Sequence, residues 1–308
     1  MPAAENTVLS HDVLVVGEAL VDVVLQDGGT REHPGGSPAN VAYGLARLGL
    51  DTTLLTALGE DAHGALIREH LSGAGVGLAP VEAPLERTAS ATAVLAPDGS
   101  AEYEFDIRWE PAPVLPLPPA RAIHTGSIAA FLAPGAATVR SILEVAPAGT
   151  VITYDPNIRP ALLGTHAEAL AAFEELAPLA HVVKLSDEDA AWLYPGRGLD
   201  DVAARIIELG ARLGVVTLGA GGSLLRSADR ELRVPAVASQ VVDTIGAGDS
   251  YMAALIAGVL ETGTEELGAA ELARLGSLAA AAAALTVRRA GANPPTRTEL
   301  DGLLAGEG

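Results

Sequence analysis

The feature that most constrains the fold of this chain is an alternation between short apolar runs and longer stretches with helical spacing. The short runs are rich in β-branched residues and are apolar on both faces, as expected for parallel strands that helices cover on both sides. The runs occupy residues 13–16, 52–56, 151–154, 181–184 and 214–217, and the helical stretches lie near 38–48, 61–73, 135–146, 167–177, 200–210, 248–260 and 268–288. The alternation predicts an α/β fold with right-handed crossovers.

One region departs from this alternation. Residues 92–95 and 101–107, separated by a Pro-Asp-Gly turn signal, predict a β-hairpin. In its second arm, acidic side chains alternate with aromatic and aliphatic ones, which is typical of a half-exposed antiparallel sheet. Residues 21–25 are predicted to pair beside the hairpin. A small sheet of this kind suits a lid over a site or a dimerisation surface, and a surface hairpin without a role is the third interpretation.

The charge and the composition of the chain exclude several functions. Its 39 acidic and 19 basic residues give a formal charge of −20, which disfavours binding to nucleic acid or to a membrane surface. Because there is no cysteine, disulfides, thiolate nucleophiles and Cys-ligated metals are excluded. The longest apolar stretch, 278–287, is too short to cross a bilayer, and the N-terminus has no export signal. We therefore expect a soluble, cytoplasmic protein.

Two glycine-rich turns precede predicted helices, and the first begins with Gly35 and Gly36. A glycine pair allows the backbone to approach a ligand closely. Asn40 follows in the first turn of the helix, where its amide is placed to meet a hydroxyl group. An ordinary helix start with a structural asparagine is the alternative interpretation.

The second turn consists of Gly246, Ala247 and Gly248, followed by Asp249 at the start of a helix. Small residues leave consecutive backbone N–H groups uncovered there, so the turn and the helix dipole together form an anion site. A carboxylate beside an anion site is unexpected, unless the anionic charge is transient. The turn would then stabilise charge on a transferred phosphoryl group while Asp249 accepts the proton of the attacking hydroxyl. A helix-capping role of Asp249 is the alternative.

Other catalytic signatures are incomplete. The chain lacks the G-x-x-x-x-G-K-[ST] phosphate loop, and no complete G-x-G-x-x-G follows the first strand. Its seven histidines do not have metal-ligand spacing. Gly248, Asp249 and Ser250 match the Gly-Asp-Ser start of some esterases, although no histidine lies near in sequence to activate the serine. A hydrolase that uses Ser250 therefore stays open as an alternative.

Together the two turns resemble the signature pair of the PfkB/ribokinase family of carbohydrate kinases, in particular its fructokinase-like branch. The segments 17–22, 155–159 and 217–222 are similar to further motifs of that family, and Gly291 and Ala292 complete the pattern. The likeness extends over about residues 12 to 297. Five motifs in the family's order make the resemblance specific.

The resemblance implies a ribokinase-like three-layer α/β/α sandwich with a mostly parallel central sheet and a small β-sheet lid. It implies one kinase domain over residues 1–308, in which about 18–36 and 88–110 form the lid. The lid is also the surface through which we expect a homodimer to form.

The activity implied by the resemblance is ATP-dependent phosphorylation of a sugar hydroxyl. Asp249 is the expected general base, and the backbone amides of Gly246, Ala247 and Gly248 form the expected anion hole. The expected substrate-binding residues are Asp22, Gly35, Gly36, Asn40, Arg108 and Arg159. The expected ATP-binding residues are Ser186, Thr217, Gly219, Gly222, Gly246 and Gly248.

The metal ions implied by the resemblance are Mg²⁺, which accompanies ATP, and a monovalent cation such as K⁺. The family's Asn-x-x-Glu segment, which organises the water around Mg²⁺, corresponds here to residues 186–189. Asp189 is one methylene shorter than the family's glutamate, so Glu188 is a second candidate for contact with metal-bound water. Asp243 and the loop near Gly291 are the expected neighbours of the monovalent cation.

The substrate is expected to be a neutral ketohexose. Arg108 and Arg159 are candidates for the sugar pocket. The resemblance also implies a second option, because in the family's 2-keto-3-deoxygluconate branch an arginine at about the place of Arg108 pairs with the carboxylate of that sugar acid, beside a tyrosine, whereas the neighbour here is Ile107. That sugar acid and ribose therefore stay open as substrates. The low aromatic content of 3% disfavours a nucleoside kinase, which needs rings to stack on a base. A non-catalytic sugar-binding protein on the same fold is the alternative from a different functional class.

Overall fold

The structure of the chain is a computed structural model, and it describes residues 11–26, 29–95 and 101–306. Its strands are β1 (His11–Val16), β2 (Leu20–Gln26), β3 (Gly29–Gly35), β4 (Thr52–Leu55), β5 (Gly77–Leu78), β6 (Ser90–Leu95), β7 (Ala101–Asp106), β8 (Ala120–Gly126), β9 (Val151–Asp155), β10 (Val182–Ser186), β11 (Leu213–Thr217), β12 (Ser223–Arg226) and β13 (Glu231–Val234). Its α-helices are α1 (Ser37–Arg47), α2 (Ala62–Gly73), α3 (Gly135–Glu144), α4 (His166–Leu176), α5 (Asp187–Leu193), α6 (Leu199–Glu208), α7 (Ala247–Thr262), α8 (Ala269–Thr286) and α9 (Arg297–Leu304).

Nine of these strands form the central sheet, in the order β13-β12-β11-β10-β9-β8-β1-β4-β5. The pairs from β11 through β5 are parallel, whereas β12 and β13 run antiparallel to their neighbours. All five predicted apolar runs are strands of this sheet, which confirms the α/β prediction. The sequence did not indicate β12 and β13, because these four-residue strands mix charged and apolar residues and have no long apolar run.

The two faces of the sheet are covered by different helices. Val13 and Val15 of β1 belong to a core that includes residues of α1, α7 and α8. Leu14 and Val16, which point to the opposite face, belong to a second core that includes Phe173 of α4. Because successive strand residues alternate between faces, β1 contributes to both cores. The architecture therefore has the three layers that the resemblance implied.

The small sheet stands apart from the central one, in the order β3-β2-β6-β7. β6 and β7 form the predicted antiparallel hairpin, and β2 pairs with β6 as predicted for residues 21–25. That pairing is parallel, so the sheet is mixed rather than purely antiparallel. The predicted hairpin turn at 97–99 lies outside the described residues.

Helix α7 passes through the interior of the molecule. Its residues 249–259 are all buried, and α8 packs against it. The N-terminal end of α7 is therefore fixed by a large packing surface. Of the helices in the described ranges, including the 18-residue α8, none is both long and apolar enough to cross a membrane.

Candidate active site

A cavity of about 400 Å³ opens where the carboxyl ends of the central strands face the small sheet. The ends of β9, β10 and β11 contribute Asp155, Ser186 and Thr217, and the small sheet contributes Asp22 and Phe105. In open α/β sheets this edge is the usual place for a ligand. We call this space the polar cavity.

The polar cavity brings together many of the residues predicted from the two glycine-rich turns and the motifs between them. The predicted residues that line it are Asp22, Gly36, Asn40, Arg159, Ser186, Asp189, Thr217, Gly246, Gly248 and Asp249. The predicted residues that do not line it are Gly35, Arg108, Glu188, Gly219, Gly222, Asp243 and Ala247. Of these, Arg108 and Glu188 are exposed on the surface.

Asp249 joins the two glycine-rich turns. One carboxylate oxygen accepts a hydrogen bond from Ser37 Oγ at 2.7 Å, and the other accepts one from Asn40 Nδ2 at 2.8 Å. Both donors belong to α1, so Asp249 does not cap its own helix through its side chain. Burial raises the pKa of Asp249, while hydrogen bonds from Ser37 and Asn40 and the charge of Lys184 oppose that rise. The carboxylate thus has fixed donors on one side and the cavity on the other, as a general base requires.

The turn before α7 adopts a conformation that favours glycine. Gly246 has a φ of 74°, in the left-handed region, and directly precedes the helix. A Cβ on Gly246 would lie 2.6 Å from the Cβ of Ala292, so a larger residue would also collide with the neighbouring loop. The Ala247 N–H already donates to the Thr244 carbonyl at 3.2 Å. The N–H groups of Gly246 and Gly248 are therefore the better candidates for an anion in this cavity.

Lys184 is a charged residue of the cavity that the sequence analysis treated only as part of a buried strand. Its Nζ lies 2.8 Å from Asp155 Oδ2, and the exposed fractions of the two side chains are 4% and 2%. Burial opposes the charged form of Lys184, but Asp155, Asp189 and Asp249 outweigh it and raise the pKa of the ammonium. Burial raises the pKa of Asp155 to about 6, although Lys184 lowers it.

A sequence signal for Lys184 does exist. Of the nineteen lysine and arginine residues in the chain, eighteen are arginine, and Lys184 is the only lysine. Lysine is almost never fully buried unless it has a partner, so a single lysine inside an apolar run indicates a special environment.

Glu18 is the second residue that the sequence analysis did not select. It is buried at the cavity wall, where its carboxylate accepts a hydrogen bond from the Ala129 N–H at 3.0 Å. Burial raises its pKa to about 7.

Ser127 and Asn157, the two non-glycine residues with positive φ in the described ranges, also line the polar cavity. Such backbone strain persists only where the surroundings enforce it, and it is common at functional sites.

A second cavity of about 660 Å³ adjoins the first, and we call it the apolar cavity. It shares Thr217, Thr244 and Gly248 with the polar cavity. Five residues that were predicted to bind ATP or the anion line it: Thr217 and Gly248, which both cavities share, and Gly219, Gly222 and Ala247, which line only this one. Much of the remaining wall consists of alanine and valine side chains, which offer an aromatic base a surface without charge. Two ligands can therefore meet at Gly248, immediately before Asp249.

Two of the predicted metal contacts, Asp189 and Asp243, accept hydrogen bonds from backbone N–H groups. Asp189 lines the polar cavity, and its carboxylate oxygens accept hydrogen bonds from the N–H groups of Ile158 at 2.7 Å and Ser186 at 2.9 Å. Each oxygen has a further lone pair, so the group fits a metal-bound water. Asp243 accepts hydrogen bonds from the N–H groups of Ile245 and Gly291, which lower its pKa. The described residues contain no group of three acidic or histidine side chains that could enclose a metal ion.

Ser250 lies outside both cavities. Its side chain is buried, and its Oγ has no hydrogen-bond partner among the described residues. A nucleophilic serine needs an adjacent base and access to substrate. The geometry therefore gives no support to the hydrolase alternative.

Comparisons with known proteins show the family and the fold of the chain. A family model described as "pfkB family carbohydrate kinase" matches residues 10–299. A fructokinase of Rhizobium leguminosarum bv. trifolii is 32% identical over 257 residues, which are 80% of this chain and 78% of that protein. The structure of a fructokinase with bound ATP from Xylella fastidiosa superimposes with a TM-score of 0.82 at 25% identity, covering 97% of this chain and 99% of that one. A fructokinase double mutant from Vibrio cholerae O395, in a fructose-, ADP- and potassium-bound form, gives a TM-score of 0.79 at 25% identity, with 96% and 99% covered.

Proposed function

Because this chain belongs to the pfkB family of carbohydrate kinases and is an ATP-dependent sugar kinase, we propose that its substrate is a neutral ketohexose such as fructose. The observation that carries the proposed reaction is the position of Asp249, a buried carboxylate that lines the polar cavity and directly follows Gly248, which lines both cavities. An intact base at this position also favours a catalyst over a non-catalytic sugar-binding protein.

The proposed reaction uses the residues at the start of α7. Asp249 accepts the proton of the sugar hydroxyl, whose oxygen forms a new bond to the γ-phosphorus of ATP. The bond between that phosphorus and the bridging oxygen breaks, and its electron pair stays with ADP. The N–H groups of Gly246 and Gly248 stabilise the negative charge of the group in transfer. The products are the sugar phosphate, ADP and one proton.

The charges of the polar cavity support a neutral sugar over a sugar acid. Glu18, Asp22 and Asp249 present carboxyl groups to this space, and Asn40 adds an amide. Of the two cations that line the cavity, Lys184 is paired with Asp155 and Arg159 is the one arginine, while Arg108, the candidate for a substrate carboxylate, lies outside. A sugar acid would therefore face several like charges, whereas hydroxyl groups can donate to each carboxylate.

The apolar cavity is the proposed site of the adenine base, and Ser186, Thr217, Gly219 and Gly222 are the proposed contacts of the nucleotide. Mg²⁺ would enter with ATP, and Asp189 fits a contact with its water, whereas exposed Glu188 does not. When bound, Mg²⁺ neutralises charge on the phosphate oxygens. K⁺ is proposed near Asp243, whose lowered pKa keeps the carboxylate charged.

The small sheet is proposed to close over the sugar. Leu20, Ala91, Phe105 and Ile107 carry apolar side chains from this region to the cavity wall. Such a cover excludes water, which would otherwise compete with the sugar for the phosphoryl group. A homodimer through the same sheet stays a prediction.

The proposed substrate is tested by measuring ADP release with ATP and a panel of acceptors. We expect fructose to give the highest kcat/KM, about tenfold or more above ribose and 2-keto-3-deoxygluconate. A substrate that leaves a buried polar group of the site without its hydrogen bond loses about 1–3 kcal/mol. Omission of the acceptor is the control for ATP hydrolysis. A higher kcat/KM with the sugar acid would contradict the neutral-substrate assignment, and turnover with no sugar would contradict the kinase.

The Gly35→Ala variant tests the sugar end of the site. A Cβ at this position would lie 2.2 Å from Asp22 Oδ2, so the Asp22 side chain must turn away from its place. We expect the KM for the sugar to rise about tenfold or more, since a hydrogen bond to a charged group contributes about 1.5–3 kcal/mol. The KM for ATP and the melting temperature should change little, because only a flexible side chain has to move.

Gly73→Ala is the matched control for this variant. Gly73 ends α2, and nothing lies within 4 Å of the place its Cβ would take. Both variants add one methyl group, but only Gly35→Ala should alter the sugar KM. If the KM for the sugar were equal in the two variants, Asp22 would not be a sugar-binding residue.

A further inference from the structure

Lys184 has no part in the mechanism described so far, although it is buried at its centre. It lies in β10, between Val183 and Leu185, which are fully buried and apolar. Its ammonium is paired with Asp155 at 2.8 Å and lines the polar cavity. A buried ion pair of this kind seldom stabilises a fold more than apolar residues of similar volume would. Stability alone therefore does not explain a charged pair at this place.

The pair is also incomplete as a structural contact. Asp155 Oδ2 contacts Lys184, but Asp155 Oδ1 is buried without a hydrogen-bond partner among the described residues. A partly satisfied buried network is less favourable than an apolar core. Its presence at the wall of a cavity indicates that the groups are arranged for a ligand.

The ammonium lies beside the proposed anion hole. A Cβ on Gly248 would be 3.9 Å from Lys184 Nζ, so Nζ is close to the backbone that opens α7. The other charged groups that act on Lys184 are the carboxylates of Asp155, Asp189 and Asp249. His124, also buried nearby, has its pKa lowered to about 3 by burial and by Lys184, and it is therefore uncharged. Lys184 is thus the buried cation in an otherwise acidic part of the site.

The composition of the chain supports a specific need for lysine. Every other basic side chain apart from histidine is arginine, on the surface and at the cavity alike. Arginine presents a broad planar group, whereas lysine presents a compact point charge on a flexible stem. A sequence that uses arginine at eighteen positions and lysine only here indicates that this position requires the compact charge.

We propose that Lys184 is a catalytic residue whose ammonium contacts the phosphoryl group during transfer, beside the N–H groups of Gly246 and Gly248. The proposal rests on the proposed kinase function. Lys184 exchanges neither a proton nor an electron pair. The hydroxyl proton passes to Asp249, the electron pair of the broken bond stays with ADP, and the ammonium offsets the charge between them. Asp155 is a positioning residue that holds the ammonium in place.

The first experiment observes the lysine directly in the unmodified full-length chain. Because Lys184 is the only lysine, protein labelled with ¹⁵N-lysine gives a single side-chain Nζ signal in NMR spectra. We expect a non-hydrolysable ATP analogue with Mg²⁺ to shift this signal and ADP with Mg²⁺ to leave it nearly unchanged, since only the analogue carries the third phosphate. Identical spectra with the two nucleotides would overturn the proposal.

The second experiment measures turnover in Lys184→Gln and in the double variant Lys184→Gln/Asp155→Asn. The double variant removes both charges and keeps two polar groups that can bond to each other, so it guards against loss of folding in the single variant. We expect kcat to fall about 100-fold or more in both, the scale for loss of one donor to a developing charge. The KM for the sugar should stay within about threefold.

The pH profile distinguishes a catalytic from a structural role. Lys184 lowers the pKa of Asp249, so its removal in Lys184→Gln should shift the acid limb of kcat/KM to higher pH. A double variant with kcat within about threefold of the parent, or an unmoved acid limb in the single variant, would overturn the proposal. These outcomes require turnover by the parent chain. A parent without turnover on any sugar would instead refute the proposed function on which the role of Lys184 depends.

Discussion

Replacing Asp249 by asparagine is expected to lower kcat by about 100-fold or more, while the KM for ATP changes less than about threefold. The amide has the volume of the carboxylate but cannot accept the proton of the sugar hydroxyl. Loss of a general base typically lowers the rate by about 10²- to 10⁴-fold. The proposed nucleotide contacts lie largely on the side of Gly219 and Gly222, away from this group. Steady-state kinetics with saturating sugar measures both parameters.

The matched control for this prediction is Ser250→Ala. Ser250 follows Asp249 directly and is buried, but it lines neither cavity. Its kcat should stay within about twofold of the parent, whereas an esterase that used this serine would lose its activity. Burial places the pKa of Asp249 above its ordinary value, so the parent should lose kcat/KM as the pH falls through that raised pKa. Near-normal turnover in Asp249→Asn would refute its role as the base.

The second large effect is expected for Gly246→Ala. The left-handed φ of 74° costs a non-glycine residue about 1–2 kcal/mol, and the added Cβ would lie within 2.6 Å of the Ala292 Cβ and 2.8 Å of its Cα. Because one of these atoms is backbone, the 291–292 loop or the start of α7 must move. We expect the free energy of unfolding to fall by about 2–4 kcal/mol, as strain and overpacking add.

The same displacement should also reduce catalysis. Donors of an anion hole act only at hydrogen-bond distance from the developing charge, so a shift of the Gly246 N–H should lower kcat at least tenfold, roughly. Gly49→Ala separates the two causes, because Gly49 has a φ of 87° and nothing within 4 Å of its Cβ position. That control should lose about 1–2 kcal/mol of stability and no kcat. An equal kcat in the two variants would show that Gly246 contributes to the stability of the fold but not to catalysis.

The position of Asp249 illustrates what one segment of sequence leaves open. Residues 246–249 indicated either an anion site with a base or a helix cap, and both interpretations are physically sound. The cap is contradicted by the two hydrogen bonds that Asp249 accepts from Ser37 and Asn40, which are 212 and 209 residues away in the chain. Those contacts form because α1 and α7 pack on the same face of the central sheet.

Arg108 and Glu188 show the reverse case, because each is a suitable residue type at a suitable place in the sequence, yet neither lines a cavity. Arg108 directly follows Ile107, which lines the cavity just after β7, yet the Arg108 side chain is exposed. Glu188 and Asp189 are neighbours, but α5 turns one toward the cavity and the other to the surface. Adjacent helical positions differ by about 100° around the axis, and only the bounds of the helix decide which of them faces inward.

By itself the sequence determined the α/β class, the hairpin beside β2, and the two turns at the starts of α1 and α7, because hydrophobic periodicity and glycine-rich turns are local properties. Only the tertiary structure decided which side chains share a cavity, that Asp249 is bound by α1, and that Lys184 is paired with Asp155 next to Gly248. Distances between segments, burial and the resulting pKa shifts depend on how the sheet brings the strand ends together. No local pattern contains that information.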